Sequence, residues 1–407
     1  MNRTTDTTAT TGNDLSPEMK TYYDMNLLDY AQANLVHDQF GQKRPIPQGS
    51  GKTIEFRKFS PLAKALTPLT EGVTPKGDQL NVSAMTATVQ QYGNFIVQSD
   101  VLELTALDNT ILEATKQLGR QAGKTIDTVI RDILHSGTNV MYAPTWSGTT
   151  EVPSTSRGML DTTAVLTVDL VEQIAANLRA MDCPTIDGYY IGIIHPYAAY
   201  DLMRDAEWRK PHEYVNTENI YRGEIGEIGG IRFVQSTEAK IIRGADLASN
   251  SRTLLVNNQS GYSGAITSIT FDGGTVAEDA LIGRKINING VTATITDNTA
   301  TTLTFASTNF GTVANDAVIY PGEGGKQGIS VFSSLFFGQD AYGVTEIEGG
   351  GLQTIVKQKG SAGTADPLDQ RSSVGWKAML TAEILIPEYL IRVEHTSKRY
   401  SATAQQN

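Results

Sequence analysis

The sequence is poor in cysteine and histidine, the residues that most often hold structural metals. Cys183 is the only cysteine, so neither an intrachain disulfide nor a cysteine zinc cluster can form. We interpret Cys183 as a small buried apolar residue. The five histidines show neither a His-x-x-x-His spacing nor the flanking glutamate of a zinc pair. We therefore expect no metal and no cofactor, and a reducing compartment suits the chain.

Basic residues and long apolar runs are also scarce. The chain has 33 Lys and Arg against 44 Asp and Glu, which gives a net charge of −11. This balance disfavours a nucleic-acid binder, which needs a basic face, but not a wall that merely encloses nucleic acid. No apolar run approaches the roughly 20 residues of a membrane span, and the threonine-rich residues 1–13 carry no signal-peptide core. We expect no export and no membrane partner.

Complete catalytic motifs are missing as well. Ser50-Gly51-Lys52-Thr53 ends like a phosphate-binding loop, but Ile46 occupies the position of the first glycine. Gly261-Tyr262-Ser263-Gly264 resembles a nucleophile elbow, but Ala265 replaces its second glycine. His195 follows an apolar strand, where we interpret it as a turn residue before proline. We predict that the chain is not an enzyme and has no catalytic residues.

The first hundred residues predict an arm and a hairpin. A helix begins near Ser16 and runs to about Leu35, with an apolar face. Two strands, 53–59 and 80–98, flank a segment rich in proline and glycine at 61–78. A two-stranded hairpin is marginally stable alone in water. We therefore expect the apolar sides of arm and hairpin to be buried against another copy of the chain. Packing of the arm on its own domain is the alternative.

The remainder predicts mixed structure with one all-β segment. A long helix runs from Asp100 to about His135, and Gly119 and Gly123 within it indicate a close contact or a bend. A second helix, at 168–181, precedes a buried strand at 189–194. Residues 261–320 contain twelve threonines, and Asn289-Gly290 is a strong hairpin signal. This segment predicts a small barrel or sandwich.

The order of these elements resembles the Hong Kong 97-type capsid fold. Specific stretches are similar to the major capsid protein family typified by the podophage N-four. They are Leu69-Thr70-Glu71-Gly72-Val73-Thr74-Pro75, His195-Pro196 with Leu202, Gly226-Glu227-Ile228-Gly229-Gly230-Ile231-Arg232, Asp366-Pro367-Leu368-Asp369-Gln370-Arg371 and Gly375-Trp376-Lys377. The resemblance covers most of residues 17–260 and 326–395, whereas residues 261–325 depart from the family's core.

The resemblance implies an α+β fold with an N-terminal arm, an extended β-hairpin loop, a spine helix, peripheral and axial domains, and an inserted small all-β domain. The implied division is 1–46 arm, 47–99 extended loop hairpin, 100–187 peripheral domain with the spine helix, 188–260 axial domain, 261–325 inserted all-β domain, 326–344 return of the axial domain, and 345–407 C-terminal strands of the peripheral domain.

The resemblance also implies a function. The chain would be the major capsid protein of a tailed double-stranded DNA bacteriophage, forming pentamers and hexamers of an icosahedral shell in the virion, assembled in the host cytoplasm. Because the arm helix starts near Ser16, we expect a separate scaffolding protein rather than a cleaved scaffolding region. Portal and decoration proteins are further expected partners, and the DNA would be enclosed without sequence-specific binding.

Charged residues of the hairpin are our candidates for contacts between subunits, because the hairpin needs a partner surface. They are Glu55, Arg57, Lys58, Glu71 and Lys76. The alternatives are an encapsulin-like compartment shell and a cytosolic enzyme with an unrecognised site. Neighbouring genes distinguish the phage capsid from the encapsulin-like shell. Portal and terminase genes indicate a phage, and a cargo enzyme gene indicates a compartment.

Overall fold

The computed structural model divides the chain into two compact units. Unit 1 comprises Met1–Leu134 and Tyr342–Leu385, and unit 2 comprises His135–Ala341 and Ile386–Asn407. The described residues are 27, 30–31, 35–59, 62, 64–66, 68, 71–72, 74, 77–105, 110–205, 207–208, 226–357, 368 and 370–407. No helix among these residues is both long and apolar enough to cross a bilayer.

The elements follow the chain in three groups. The first is β1 (Gln42–Lys43), β2 (Thr53–Phe59), β3 (Val82–Thr88), β4 (Gln90–Ser99), α1 (Asp100–Thr105) and α2 (Thr110–Leu134). The second is β5 (Val140–Tyr142), β6 (Thr145–Ser147), β7 (Thr150–Val152), α3 (Val168–Ala180), β8 (Tyr190–Ile194), α4 (Pro196–Leu202), β9 (Glu227–Ile228), β10 (Ile231–Gln235), β11 (Ile241–Ile242), β12 (Leu254–Val256), β13 (Ala265–Asp272), β14 (Lys285–Ile288), β15 (Val291–Asn298), β16 (Thr302–Asn309), β17 (Val318–Pro321) and β18 (Val331–Phe337). The third is β19 (Tyr342–Glu346), β20 (Gln353–Lys357), β21 (Arg371–Ile384) and β22 (Leu390–His395).

The long strand β21 organises unit 1. It pairs antiparallel with β4, β19 and β20, and β1 adds to β19 in parallel. Every second side chain of β21 is buried, namely Val374, Trp376, Ala378 and Leu380, as expected when one face of a sheet is covered. The cover is α2, where the Gln121 side chain lies 3.4 Å from the Trp376 indole nitrogen.

The close contact predicted at the two glycines of the long helix is confirmed. A Cβ on Gly119 would lie 2.8 Å from the carbonyl oxygen of Leu27, and a Cβ on Gly123 would collide with the carbonyl of Ala31. Both Leu27 and Ala31 are buried. Only glycine lets a second backbone approach α2 this closely. The single helix predicted from Asp100 appears as α1 and α2, and residues 106–109 between them are not described.

Unit 2 is built on a sheet of order β5-β22-β18-β8-β10-β9, with β11 beside β18. All five residues of β8 are buried, as its apolar run predicted. The predicted second helix is confirmed as α3, which begins after the N-cap Thr167 and contributes Leu170, Ile174 and Leu178 to the core.

The predicted all-β segment is a closed barrel of order β12-β13-β16-β15-β14-β17. Asn289 and Gly290 form its β14–β15 turn with φ values of 54° and 85°, as the hairpin signal predicted. The barrel has its own core, which includes Phe271, Leu303 and Ile319. Its first strand, β12, lies ahead of residue 261 and pairs with both β13 and β17.

Candidate assembly surface

The hairpin is anchored at its base and exposed toward its tip. β2 and β3 pair in continuous register from Thr53 opposite Thr88 to Phe59 opposite Val82, which confirms the predicted strand 53–59. The single strand predicted over 80–98 was wrong, because it is divided into β3, which pairs with β2, and β4, which pairs with β21. At the base the Phe56 ring is 4% exposed and packs over Gly343 of the same unit, where a Cβ would lie 2.8 Å away. Our expectation that the hairpin is buried only against another copy was therefore wrong for its base.

Toward the tip the apolar side chains face solvent. Val82 is 50% exposed and Leu80 66%, and in the tip Leu62 is 55% and Leu66 82% exposed. Four large apolar side chains exposed within one hairpin are typical of an interaction surface. Most of the family-like stretch 69–75 and Lys76 lie outside the described residues.

A second apolar surface lies on the sheet of unit 1, on the face opposite α2. Phe95, Gly375 and Ile355 stand directly across β4, β21 and β20. The Phe95 side chain is 65% exposed, and its neighbours Val97 and Ile355 are 50% and 37% exposed. Only glycine fits between Phe95 and Ile355 in this row, since a Cβ on Gly375 would lie 2.7 Å from the Cβ of Phe95. This row is an apolar surface without a covering layer in the described residues.

The backbone of β4 is available for pairing with another chain. Among the described residues β4 pairs with β21 alone, which makes it an edge strand of ten residues. An edge that is long and apolar associates with other chains unless it is covered. Val101 and Leu102 of α1 continue the exposed apolar surface beyond the end of β4, at 63% and 45% exposure.

Of the five charged candidates for subunit contacts, the structure describes the side chains of three. The Arg57 Nε atom lies 3.3 Å from the Glu55 Oε1 atom, and the two side chains are 67% and 47% exposed. An exposed ion pair of this kind contributes about 0–1 kcal/mol. Glu71 is exposed, whereas the Lys58 side chain and all of Lys76 are not described. The structure therefore brings together only Glu55 and Arg57, and their part in subunit contacts stays a prediction.

The arm is bound to α2 by the Asp127 carboxylate, which the sequence analysis did not predict. The Oδ1 atom of Asp127 in α2 accepts hydrogen bonds from the backbone N–H groups of Val36 at 2.8 Å and His37 at 2.7 Å. Its Oδ2 atom lies 2.8 Å from the His37 Nδ1 atom, and Tyr342 donates to the His37 carbonyl at 2.6 Å. Burial raises the pKa of Tyr342 well above its ordinary value, so it stays a donor.

The expectation that the arm is buried against another copy is therefore wrong for its described part. Leu27, Ala31 and His37 are buried within unit 1, which was the alternative prediction. The signal was present in the sequence: Gly119, Gly123 and Asp127 follow each other at steps of four, on one face of a helix. Most of the predicted helix from Ser16 lies outside the described residues.

Residues 16–359 match a family model described as phage capsid protein. The chain belongs to this phage capsid protein family. No curated protein matches the sequence significantly. Several solved capsids share its fold, which confirms the predicted Hong Kong 97-type architecture.

Three of these solved structures illustrate the likeness. The capsid of the cyanophage P-SCSP1u is 13% identical, with a TM-score of 0.53 over 88% of this chain and 87% of that one. The capsid of Ralstonia phage GP4 is 12% identical, with a TM-score of 0.51 over 90% and 89%. The head of the Helicobacter pylori bacteriophage KHP40 is 12% identical, with a TM-score of 0.51 over 87% and 88%.

Other residues that sequence analysis weighed have structural roles in this capsid protein. His195 is the N-cap of α4, and its Nδ1 atom accepts a hydrogen bond from the Tyr197 N–H at 3.1 Å. Cys183 is buried, and burial raises the pKa of its thiol to about 11. Gly49 and Gly51 have positive φ and form the turn before β2, where the phosphate-loop motif was considered.

Acidification is expected to destabilise unit 2 through His395. Burial lowers the pKa of His395 to about 4, whereas an unfolded histidine has a pKa of about 6.5. Between these values only the unfolded chain takes up the proton, so stability falls as the pH drops from about 6.5 to about 4. The loss between about pH 7.5 and pH 5 is about 2 kcal/mol.

Urea unfolding at both pH values measures this loss, with His395→Gln as the comparison. In the variant the His395 contribution to the pH dependence disappears, while that of His195, which has the same direction, remains. An identical pH dependence in the variant and the parent would exclude His395 as its source.

Proposed function

We propose that this chain is the major capsid protein of a tailed double-stranded DNA phage. Its copies form the pentamers and hexamers of an icosahedral shell in the virion, and the protein contributes association energy rather than catalysis. The observation that carries the proposal is the exposed apolar surface of unit 1, formed by the hairpin tip and by the Phe95–Ile355 row. This surface belongs to unit 1, whose own core is already covered by α2.

In this proposal the hairpin is the extended loop, which lies across a neighbouring subunit. Burial of apolar surface contributes about 25 cal/mol per Å², so a few exposed leucines and valines supply several kcal/mol per contact. Because every subunit takes part in several such contacts, a closed shell is far more stable than one pair. Glu55 and Arg57 lie on the hairpin strand, where charges select the correct register rather than add much affinity.

The division into arm, extended loop, peripheral domain, axial domain and insert belongs to the same proposal. Residues 188–260 would meet their copies around the fivefold and sixfold axes, in head-to-tail contacts closed by rotation. Assembly would occur in the host cytoplasm with a separate scaffolding protein. Portal and decoration proteins would join the shell, and DNA would be enclosed without sequence-specific contacts.

Replacing Leu62 and Leu66 by serine tests this function. Both side chains are mostly exposed in the single subunit, so the free energy of unfolding should change by no more than about 0.5 kcal/mol each. If a neighbour buries them, the lost contact costs about 3 kcal/mol or more. We expect the protein concentration needed for shells to rise at least about tenfold, measured by gel filtration and negative-stain microscopy.

Met181→Ser is the control, because this side chain is 43% exposed and lies in unit 2. It should leave assembly unchanged. Wild-type shell yield from the Leu62→Ser, Leu66→Ser variant would rule out the hairpin tip as a subunit contact. A parent protein that stays monomeric with scaffolding protein present would rule out the capsid function itself.

A further inference from the structure

Unit 2 carries an aromatic and basic surface of its own, formed by α4 and by the residues that follow β22. The Tyr197 and Tyr400 rings stack at 3.9 Å with an angle of 9° between their planes, and the Tyr200 ring meets Tyr400 edge-on at 5.9 Å. The guanidinium groups of Arg204 and Arg399 lie 5.4 Å and 5.9 Å from the centre of the Tyr200 ring. We call these five residues the Tyr–Arg surface.

The positive charges of the Tyr–Arg surface are accessible, whereas the carboxylates beside them are engaged within the subunit. Arg204 and Arg399 are both exposed. Burial raises the pKa of the Asp201 carboxyl, which bonds to the Ser397 side chain. Asp205 accepts backbone N–H bonds through both of its oxygens. Tyrosine and arginine are enriched among the residues that dominate the energy of protein interfaces, so this surface is suited to binding an acidic partner.

One end of the barrel presents acidic side chains. The Asn298 side chain holds the loop 277–281 through hydrogen bonds of 2.8 Å to the backbone at both ends of that loop. Because Asp297 directly precedes Asn298, this arrangement brings it next to Glu278 and Asp279 of the loop. All three acids are exposed. We call them, with the residue that follows the loop, Ile282, the acidic barrel end.

The acidic barrel end combines its charges with an exposed apolar side chain, since Ile282 is 50% exposed. Residues 254–321 contain two basic residues against five acids, which are Asp272, Glu278, Asp279, Asp297 and Asp316. Of the two basic residues, Arg284 is engaged with Glu323, at 3.3 Å, and with the carbonyls of residues 245 and 246. An apolar side chain among carboxylates is the chemical complement of aromatic rings edged by guanidinium groups.

We propose that the Tyr–Arg surface of one subunit binds the acidic barrel end of a second copy of the chain; this rests on the proposed capsid function. Ile282 would then be buried against the tyrosine rings, while Glu278 and Asp297 would face the two guanidinium groups. Because the two surfaces differ, the contact is head-to-tail, and its repetition can close a ring of subunits. Complementary charges at such a contact fix the orientation of the subunits.

Crosslinking tests the contact directly. Cys183, the only cysteine of the parent, is buried, so it gives little background. A chain with Glu278→Cys and Lys398→Cys carries one exposed thiol beside each surface. We expect a short bis-maleimide to link assembled subunits into a ladder of oligomers on denaturing gels, whereas neither single variant should give a ladder. Shells of the double variant that assemble but give no ladder would overturn the proposal.

Charge reversal tests whether the contact contributes to assembly. Arg204→Glu with Arg399→Glu should raise the protein concentration needed for shells at least about tenfold, because like charges then face each other. Adding Glu278→Lys and Asp297→Lys to the same chain should restore assembly, since each surface then carries the opposite charge. A restored variant also shows that the reversed side chains leave the subunit folded.

The control pair is Arg232→Glu with Lys326→Glu, which makes the same change of net charge at exposed positions of unit 2 and should leave assembly unchanged. An equal effect of both pairs would overturn the proposal, since only net charge would then matter. Normal shells from the Arg204→Glu, Arg399→Glu variant that no longer bind DNA or a decoration protein would assign the surface to that partner instead. None of these outcomes affects the capsid function, which fails only if the parent protein forms no shells.

Discussion

Replacing Glu394 by alanine is expected to destabilise unit 2 by about 3–5 kcal/mol, the usual cost of leaving a buried charge without its partner. Glu394 in β22 has no exposed surface. Its carboxylate accepts from Arg157 Nε at 2.7 Å and from Arg157 Nη2 at 2.5 Å, and Arg392 Nε lies 3.3 Å away. Without the carboxylate, the Arg157 and Arg392 guanidinium groups lose their shared partner, and their side chains are only 28% and 15% exposed.

The same ion pair ties the barrel to the rest of unit 2. Arg157 Nη1 donates to the carbonyl of Glu323, just after the last barrel strand, at 3.4 Å. The next residue, Gly158, accepts a hydrogen bond from the buried Asn287 side chain of β14 at 3.0 Å. Loss of Glu394 should therefore raise amide hydrogen exchange at residues 157–160 and 323–326 before the barrel core exchanges.

Urea unfolding of Glu394→Ala, with Glu227→Ala as an exposed control in the same unit, measures the effect. A double variant, Glu394→Met with Arg157→Met, should recover part of the loss, because it removes both charges and fills the space. A Glu394→Ala protein no less stable than the Glu227→Ala protein would show that the pair contributes nothing to folding.

The elements predicted correctly are those whose signals are local. β8 shows as an uninterrupted apolar run because both of its faces are buried. The β14–β15 turn follows from Asn289-Gly290, since these residues adopt positive φ with little strain. α3 follows from an apolar stripe behind a threonine cap. In each case the decisive residues are neighbours in sequence, so composition and spacing alone are sufficient.

The elements that were missed depend on residues far apart in the chain. Arg157 and Glu394 are 237 positions apart, and no sequence pattern near either residue predicts that the two form a pair. The two residues of β1 pair with β19 from the opposite end of unit 1. Exposure is similarly hidden: Phe95 and Val97 look like core residues of a strand, but they lie on the sheet face that no layer of the described residues covers.

The surface candidates were chosen by charge, whereas the exposed surface of unit 1 is mainly apolar. Charged side chains stand out in a sequence because they are rarely buried. The leucines of the hairpin tip give no such signal, because a leucine in a sequence predicts a buried core position. Leu66, which is 82% exposed, is informative only once the fold shows that no described layer covers it.

Replacing Asp127 by alanine is expected to release the arm from α2. The variant loses three hydrogen bonds and leaves the backbone N–H groups of Val36 and His37 without an acceptor. Each buried donor without a partner costs about 1–3 kcal/mol, so we expect a loss of about 3–5 kcal/mol or detachment of the arm into water. Detachment would expose Leu27 and Ala31, which are buried in the parent.

Limited proteolysis and urea unfolding distinguish these two results from no effect. Glu113→Ala is the matched control, since its side chain lies on the same helix and is 60% exposed. We expect faster cleavage between residues 27 and 40 in Asp127→Ala alone, because that segment loses its hydrogen bonds to the Asp127 carboxylate of α2. Asp127→Asn should be intermediate, since its amide oxygen can still accept both backbone bonds, whereas the amide nitrogen that replaces Oδ2 cannot accept a hydrogen bond from His37. Equal cleavage rates in the alanine variant and its control would show that the glycine contacts alone hold the arm.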